Sequence, residues 1–596
     1  MDEASPYFNL GTYSRPVSSP SAAARTWVNR GLIWSYGFNH EESVKCFERA
    51  IACDAECVLA YWGLAYVLGP NYNKPWDFFD PVELEAVMRR THGVVDQALV
   101  LAKGGEDDDD DGKKEGSKVT PVERALVEAL KFRYPHGHSA GEGEGDEKEK
   151  EKEGKGNRDR NFPIWNARYA DAMGAVYRRF PTDLDVATLY VDAMMNLTPW
   201  QLWDIHTGSP APGARTLECK AVLERSMAQN NENGDGSRHP GLLHLYIHLM
   251  EMSTTPEAAL PAANTLRDLV PDAGHLDHMP THIDVLVGDY QRAMSSNQTA
   301  IIADDLFFSH PSLSSEPPGF YTLYRMHDLH FRLYAAMFAG QSAVALETVA
   351  RLEQAVPESL LRVESPPMAD WLEGFLAMRV HALIRFGRWR ALLSLPLPPD
   401  AALYCTTHAL THYARGVAFA ATGDVASAAQ SRSRFLDAVD RVPASRMLFN
   451  NTCRDILAVA AAMLDGELEY RRGNHEAAYR LLREAGRRSR GLPYDEPWGW
   501  MQPPSHALGA LLAEQGHYDR AVGVYAEDLG MGEEGALLPR ALQHRGNVWA
   551  LHGYHECLVK LGREEEAEAV RPQLDAALAV ADVPIKASCF CRTSAY

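Results

Sequence analysis

Six histidines fall within 44 residues of this chain: His239, His244, His248, His275, His278 and His282. An even spread of the chain's 23 histidines would put about 1.7 in that window. His244 and His248 stand four apart, so on a helix they share a face, and Glu251 three residues further joins it. His278 and His282 repeat the spacing. His244 to His278 is 34 residues, and so is His248 to His282.

Imidazole nitrogens in this pattern suit a transition metal. His244, His248 and Glu251 form a two-histidine, one-carboxylate set, which leaves coordination positions open. His275, His278 and His282 complete that site or hold a second ion, and His239 belongs to the same cluster in sequence. Asp277 and Asp284 are carboxylates placed to orient the rings. His327 and His330 are further candidates for the same concave face. Two alternatives stand beside metal binding: hydrogen bonding in a polar groove, and acid–base use without metal. Iron or copper suits oxygen chemistry at such a set, and zinc suits hydrolysis or lysis by acidifying bound water. Nothing in the sequence assigns a catalytic role to a particular residue.

Such rings need elements that stack at a 34-residue period. Trp27, Gly31, Trp34, Ser43, Phe47 and Ala50 alternate large and small at helical spacing, with Gly37–Glu42 as a turn between two helices. Small residues allow helices to cross closely and large ones fill the gap beside them. The frame recurs at Gly416, Phe419, Gly423 and Ala428, at Gly466, Gly473, Ala478, Leu482 and Ala485, and at Gly509, Leu512, Gly516, Ala521 and Tyr525. No convincing β-run lies between them. The fold class is therefore all-α, a helical-repeat solenoid of antiparallel helix pairs enclosing a concave groove.

Composition narrows the partners. The 596 residues carry a net charge of −21, which speaks against a nucleic-acid partner. Glu106–Glu115 and Glu142–Glu153 hold −9 of it and read as a solvated acidic insertion. The longest apolar run, Ile456–Leu464, is far short of the ~20 residues that span a bilayer, so no membrane role is expected. Nine cysteines at low density fit reduced thiols in a cytoplasmic protein. Cys589 and Cys591 read as part of a mobile tail, or as thiolates for the site if the tail folds back. No Walker or Rossmann fingerprint is present, so no nucleotide cofactor is expected. The organisation expected is 1–103 N-terminal helices, 104–160 acidic insertion, 161–345 His-rich helices, 346–586 C-terminal helices and 587–596 tail. Residues 306–320 read as a long loop, and 490–505, rich in Pro and Trp, as a cover for the groove.

The large–small frame resembles the tetratricopeptide repeat (TPR) family. The stretches Phe38–Glu42, Ala60–Gly63, Gly69–Asn73, His239–Gly241 and His278–His282 resemble a His-rich microbial subgroup of that family, in style fungal. The resemblance implies the solenoid and, for TPR proteins at large, a scaffold for partner peptides. The residues themselves point first to a metal-dependent oxidoreductase or oxygenase of secondary metabolism. Its substrate would be a small organic molecule, aromatic or polyketide-like, beside Trp200, Trp203, Trp498 and Trp500. A scaffold binding a partner protein, a homodimer, and a zinc hydrolase or lyase remain open beside it.

Overall fold

Ser21 begins the first helix: its side chain accepts from the Ala24 N–H at 3.2 Å, satisfying a donor that the helix leaves free. The helix runs Ala22–Tyr36, turns through Gly37–Asn39, and returns as His40–Cys53, capped by Asn39 on the Glu42 N–H. The same hairpin recurs as Thr322–Phe338 with Ser342–Ala355, Cys405–Ala421 with Val425–Val439, and Cys453–Arg471 with His475–Arg490. Pro504–Glu514 with Tyr518–Leu529, and Val548–Lys560 with Glu564–Val580, complete the series. The chain is thus an all-α, TPR-like array in this computed structural model, which describes residues 7–103, 119–135, 161–231, 234–310 and 319–595. Sheet among the described residues is limited to three two-residue ladders.

The large–small alternation has a direct packing cause. The Phe47 ring sits in a notch between two glycines of neighbouring helices. A Cβ at Gly31 would lie 2.8 Å from it, and one at Gly63 2.2 Å. Tyr525 fills the equivalent notch between Gly509 and Gly553, where Cβ atoms would lie 2.4 and 2.3 Å away. Any larger residue would push the helices apart.

The turns repeat as well. The residue before the second helix's cap has positive φ in hairpin after hairpin, and it is glycine at Gly340 (72°), Gly423 (89°), Gly473 (82°), Gly516 (77°) and Gly562 (69°). The first hairpin puts Phe38 there, at φ 56°. A bulky residue in that region costs free energy and persists only where its side chain is needed.

Two expectations are corrected. The helix Tyr290–Ser309 takes in the first four residues of the stretch read as a loop, where Phe307 continues its buried face; residues 311–318 lie outside the described residues. Within the stretch read as acidic insertion, Pro121–Arg133 is a helix with a Thr120/Glu123 capping box, burying Leu126, Val127 and Leu130. The two acidic tracts themselves lie outside the described residues.

Candidate metal centre

The helix Pro240–Glu251 is buried on every side. It carries His244, His248 and Glu251 on one face. The following layer is broken by Pro280 into Gly274–His278 and Pro280–Val287, which present His275, His278 and His282. Gly274 lets this layer lie against Tyr290–Ser309, as a Cβ there would meet the Asp304 carboxylate at 2.4 Å. Thr322–Phe338 contributes His327. The segment Leu492–Pro503 crosses between the repeats and brings in Glu496.

The rings form one contiguous, fully buried patch. Centroids lie 4.8 Å apart for His244–His248, 5.1 Å for His244–His275, 5.4 Å for His248–His282 and 4.3 Å for His278–His327. Ligand atoms lie within 4.8 Å of one another in four sets: His244/His248/His275, His278/His282/His327, His248/Glu251/His282/Glu496 and His275/His278/Asp328.

Hydrogen bonds on the outer side of the rings fix their tautomers. The His244 Nδ1–H donates to the Tyr36 carbonyl. His248 donates from Nδ1 to Glu251 Oε1 at 3.0 Å, and His282 from Nδ1 to Glu251 Oε2. His278 donates from Nδ1 to Asn297 Oδ1 at 2.6 Å; that amide is itself held by its Nδ2 donating to the Ala293 carbonyl. A neutral imidazole has one N–H, so with Glu251 ionised each of these four rings is left with a bare lone pair on Nε2. Those lone pairs converge. His278 Nε2 lies 2.8 Å from His282 Nε2, which lies 3.3 Å from His327 Nε2.

Burial holds the rings neutral. It lowers the pKa of His244 to about 4 and of His278 to about 3, and takes His248, His275, His282 and His327 well below the ordinary value, neighbouring histidines adding to the effect in the last four. Burial also raises the carboxyl of Glu251 well above its usual range and that of Glu496 to about 7. The two hydrogen-bond to each other, and two carboxylates this close share one proton. Apolar rings seal the patch: Phe38 packs on His244 at 4.5 Å and stacks on His248 and His275, and Phe331 stacks on His282 at 5.1 Å. The strained turn residue of the first hairpin is therefore the lid of the cluster.

An aromatic-lined cavity adjoins it. His327 and Glu496 form its inner end, and Phe78, Trp200, Phe320, Tyr324, Trp371 and Phe449 its aromatic walls. Asn73, Asn450 and Asp495 are its polar groups. A second cavity, also lined by Asp495 and Glu496, reaches His282 and His544.

Seven of the nine candidate residues come together here: His244, His248, Glu251, His275, His278, His282 and His327. His239 does not. It caps the helix, accepting from the Leu242 N–H, and pairs with Asp185 at 3.3 Å. His330 is buried one turn on from His327 but faces Phe375 and Phe449, away from the other rings. Asp284 is bound by Arg267 at 2.6 and 2.7 Å, so it orients no ring. Asp277 hydrogen-bonds no histidine either; the carboxyl beside the rings is Asp328, 3.3 Å from His278 Nδ1. The tail packs on the C-terminal repeats. Cys589 and Cys591 are joined by a disulfide, against the reading of every thiol as reduced, and Cys591 is buried in the C-terminal core. They line a pocket beside Trp389 and His506 and supply nothing to the histidines. Glu496 and Asn297 escaped the sequence reading, although the Pro/Trp-rich segment carrying Glu496 stood out as a cover.

No protein-family model matches the chain, and none of the curated proteins matches it in sequence. Among solved structures, it is similar to the APC/C hetero-tetramer Cut9–Hcn1 at 12% identity and a TM-score of 0.29, over 89% of this chain and 79% of that one. It is similar to yeast Tom70 at 11% identity and a TM-score of 0.26, over 92% of this chain and 96% of that one. Likenesses this loose bear on nothing at the site. Among the described residues no helix is long and apolar enough to cross a membrane.

Proposed function

We propose that the buried histidines hold a transition metal and that the protein uses it on a small organic molecule bound in the adjoining aromatic cavity. The observation that carries the reading is the meeting of His278 Nε2 and His282 Nε2 at 2.8 Å, where, with Glu251 ionised, both rings spend their N–H on outer acceptors. Two lone pairs at that distance repel unless a cation lies between them. A proton is a poor choice, because burial opposes the imidazolium. Ligands about 2.0–2.1 Å from a tetrahedral ion lie about 3.3 Å apart, the spacing of His282 Nε2 and His327 Nε2, and His278 Nε2 would open out from 2.8 Å to match. Outer acceptors that fix ring tautomers are the usual support of metal-binding histidines.

Imidazole donors without thiolate suit iron, copper or zinc. Iron or copper supplies one-electron and dioxygen chemistry, and we favour an oxidoreductase; zinc would make the same site a hydrolase or lyase. The chain's own residues do the rest. Trp200, Trp371 and Phe320 stack on a planar, apolar substrate; Asp495 and Asn450 orient it; Glu496, at the junction of cavity and cluster, holds or passes a proton. Phe38 and Phe331 keep water from the rings.

The test uses a planar phenol, 1-naphthol, as probe. It should quench the fluorescence of Trp200 and Trp371 and raise dioxygen uptake by iron- or copper-loaded protein. Trp371→Ala should lose the first effect while keeping its metal. No quenching, and no uptake with either metal, would remove the oxidoreductase reading.

A second reading rests on the fold. Arrays of helical hairpins commonly seat a partner's segment on their inner face. In this chain Leu492–Pro503 lies between the repeats, its Asp495 bonded to Asn451 and its Gln502 to the His381 carbonyl. A partner would displace it or use outer positions such as Val82, Leu217 and Leu537, which are exposed. Metal-free protein that forms a stable complex with a partner would favour this reading.

A further inference from the structure

Resting on the metal reading above, we propose that the cluster is built for two ions, one on His244, His248 and His275 and one on His278, His282 and His327, with Glu251 as the positioning residue that ties them together rather than as a ligand. Glu251 has two carboxylate oxygens and both are engaged on outer nitrogens: Oε1 by His248 Nδ1 at 3.0 Å, and Oε2 by His282 Nδ1. Each of these bonds turns the ring's Nε2 away from Glu251. His248 Nε2 goes to one triad and His282 Nε2 to the other, and the two triads share no residue.

Each triad also has its own second anchor. The Tyr36 carbonyl fixes His244 in the first, and Asn297 fixes His278 in the second. The first triad is where an unfilled demand is plainest. His244 Nε2, His248 Nε2 and both nitrogens of His275 are buried with no hydrogen-bond partner. Polar atoms left so oppose folding, and an ion confined to the second triad would relieve none of these four. The triads meet at His275, which also comes within reach of His278 and Asp328. The two triads therefore adjoin one another and are tied by one carboxylate.

Full-length protein stripped with chelator is titrated with zinc chloride alone. Bound zinc is read by elemental analysis after desalting, and affinities by competition with a chromogenic chelator. Two equivalents are expected. His244→Ala and His278→Ala should each keep one equivalent, with circular dichroism confirming the fold. Glu251→Gln, whose amide can accept from only one ring, should weaken at least one site tenfold or more. One equivalent in the wild type overturns the two-ion arrangement and leaves the metal reading intact; none overturns both. A folded His244→Ala or His278→Ala that binds nothing would equally mean a single shared site. The wild-type stoichiometry decides the matter even where a variant does not fold.

Discussion

His278 Nε2 faces His282 Nε2 across 2.8 Å, and with Glu251 ionised neither ring has a hydrogen to give. The outer bonds of both rings, to Asn297 and to Glu251, decide this.

Asn297→Ala removes the acceptor that sets the His278 tautomer and leaves the helix Tyr290–Ser309 otherwise intact. Metal affinity should fall about 10–100-fold, with little change in the melting temperature of chelator-treated protein. Competition against a chelator measures the first, and thermal unfolding the second.

Phe38→Gly should relax the backbone of the first turn, matching the glycines of the other hairpins, yet open the cluster to water. The lost ring burial exceeds the backbone relief, so we expect a net destabilisation of about 1–3 kcal/mol. The telling readout is the rate at which a chelator extracts metal, which should rise. An unchanged rate would mean that the ring seals nothing.

Acid should unfold the metal-free protein readily. In the unfolded chain each cluster histidine has a pKa near 6.5. In the fold His244 stays near 4 and His278 near 3, and His248, His275, His282 and His327 are held well below the ordinary value. The unfolded state therefore binds more protons below pH 6.5. Stability is fully present above that pH and drains as pH falls, by up to about 1.4 kcal/mol per unit for each ring until its folded pKa is reached. A pH titration followed by circular dichroism should show cooperative loss before pH 4, and bound metal should shift it downward. Retention of the fold at pH 3 without metal would contradict the burial argument.

Phe47→Ala should destabilise the N-terminal repeats by about 3–5 kcal/mol in urea unfolding, since Gly31 and Gly63 leave a notch that no neighbour can fill. The equivalent Tyr525→Ala should act on the C-terminal repeats alone.

Much of this was legible in the residues. The repeat was readable because Gly31 and Phe47 must meet within one hairpin, so their spacing is short and periodic. The histidine period was readable for the same reason: His248 and His282 are one repeat apart and stack. Phase along a helix was not readable, which is why His327 joins the cluster and His330 does not. His239 was misjudged because its ring is spent on a cap and on Asp185, and Asp284 because Arg267 claims it. Glu496 lies 245 residues beyond Glu251, and no local pattern announces a contact of that range. Only the unusual composition of its segment marked it. The ordered helix Pro121–Arg133 was hidden by the charge on either side of it.

The most direct test is elemental analysis of the protein as purified from cells supplied with iron, copper and zinc. Iron or copper near two equivalents, falling to about one in a folded His282→Ala variant, is the predicted result. Metal at trace level in the wild type, with a melting temperature that chelator leaves unmoved, would contradict the account.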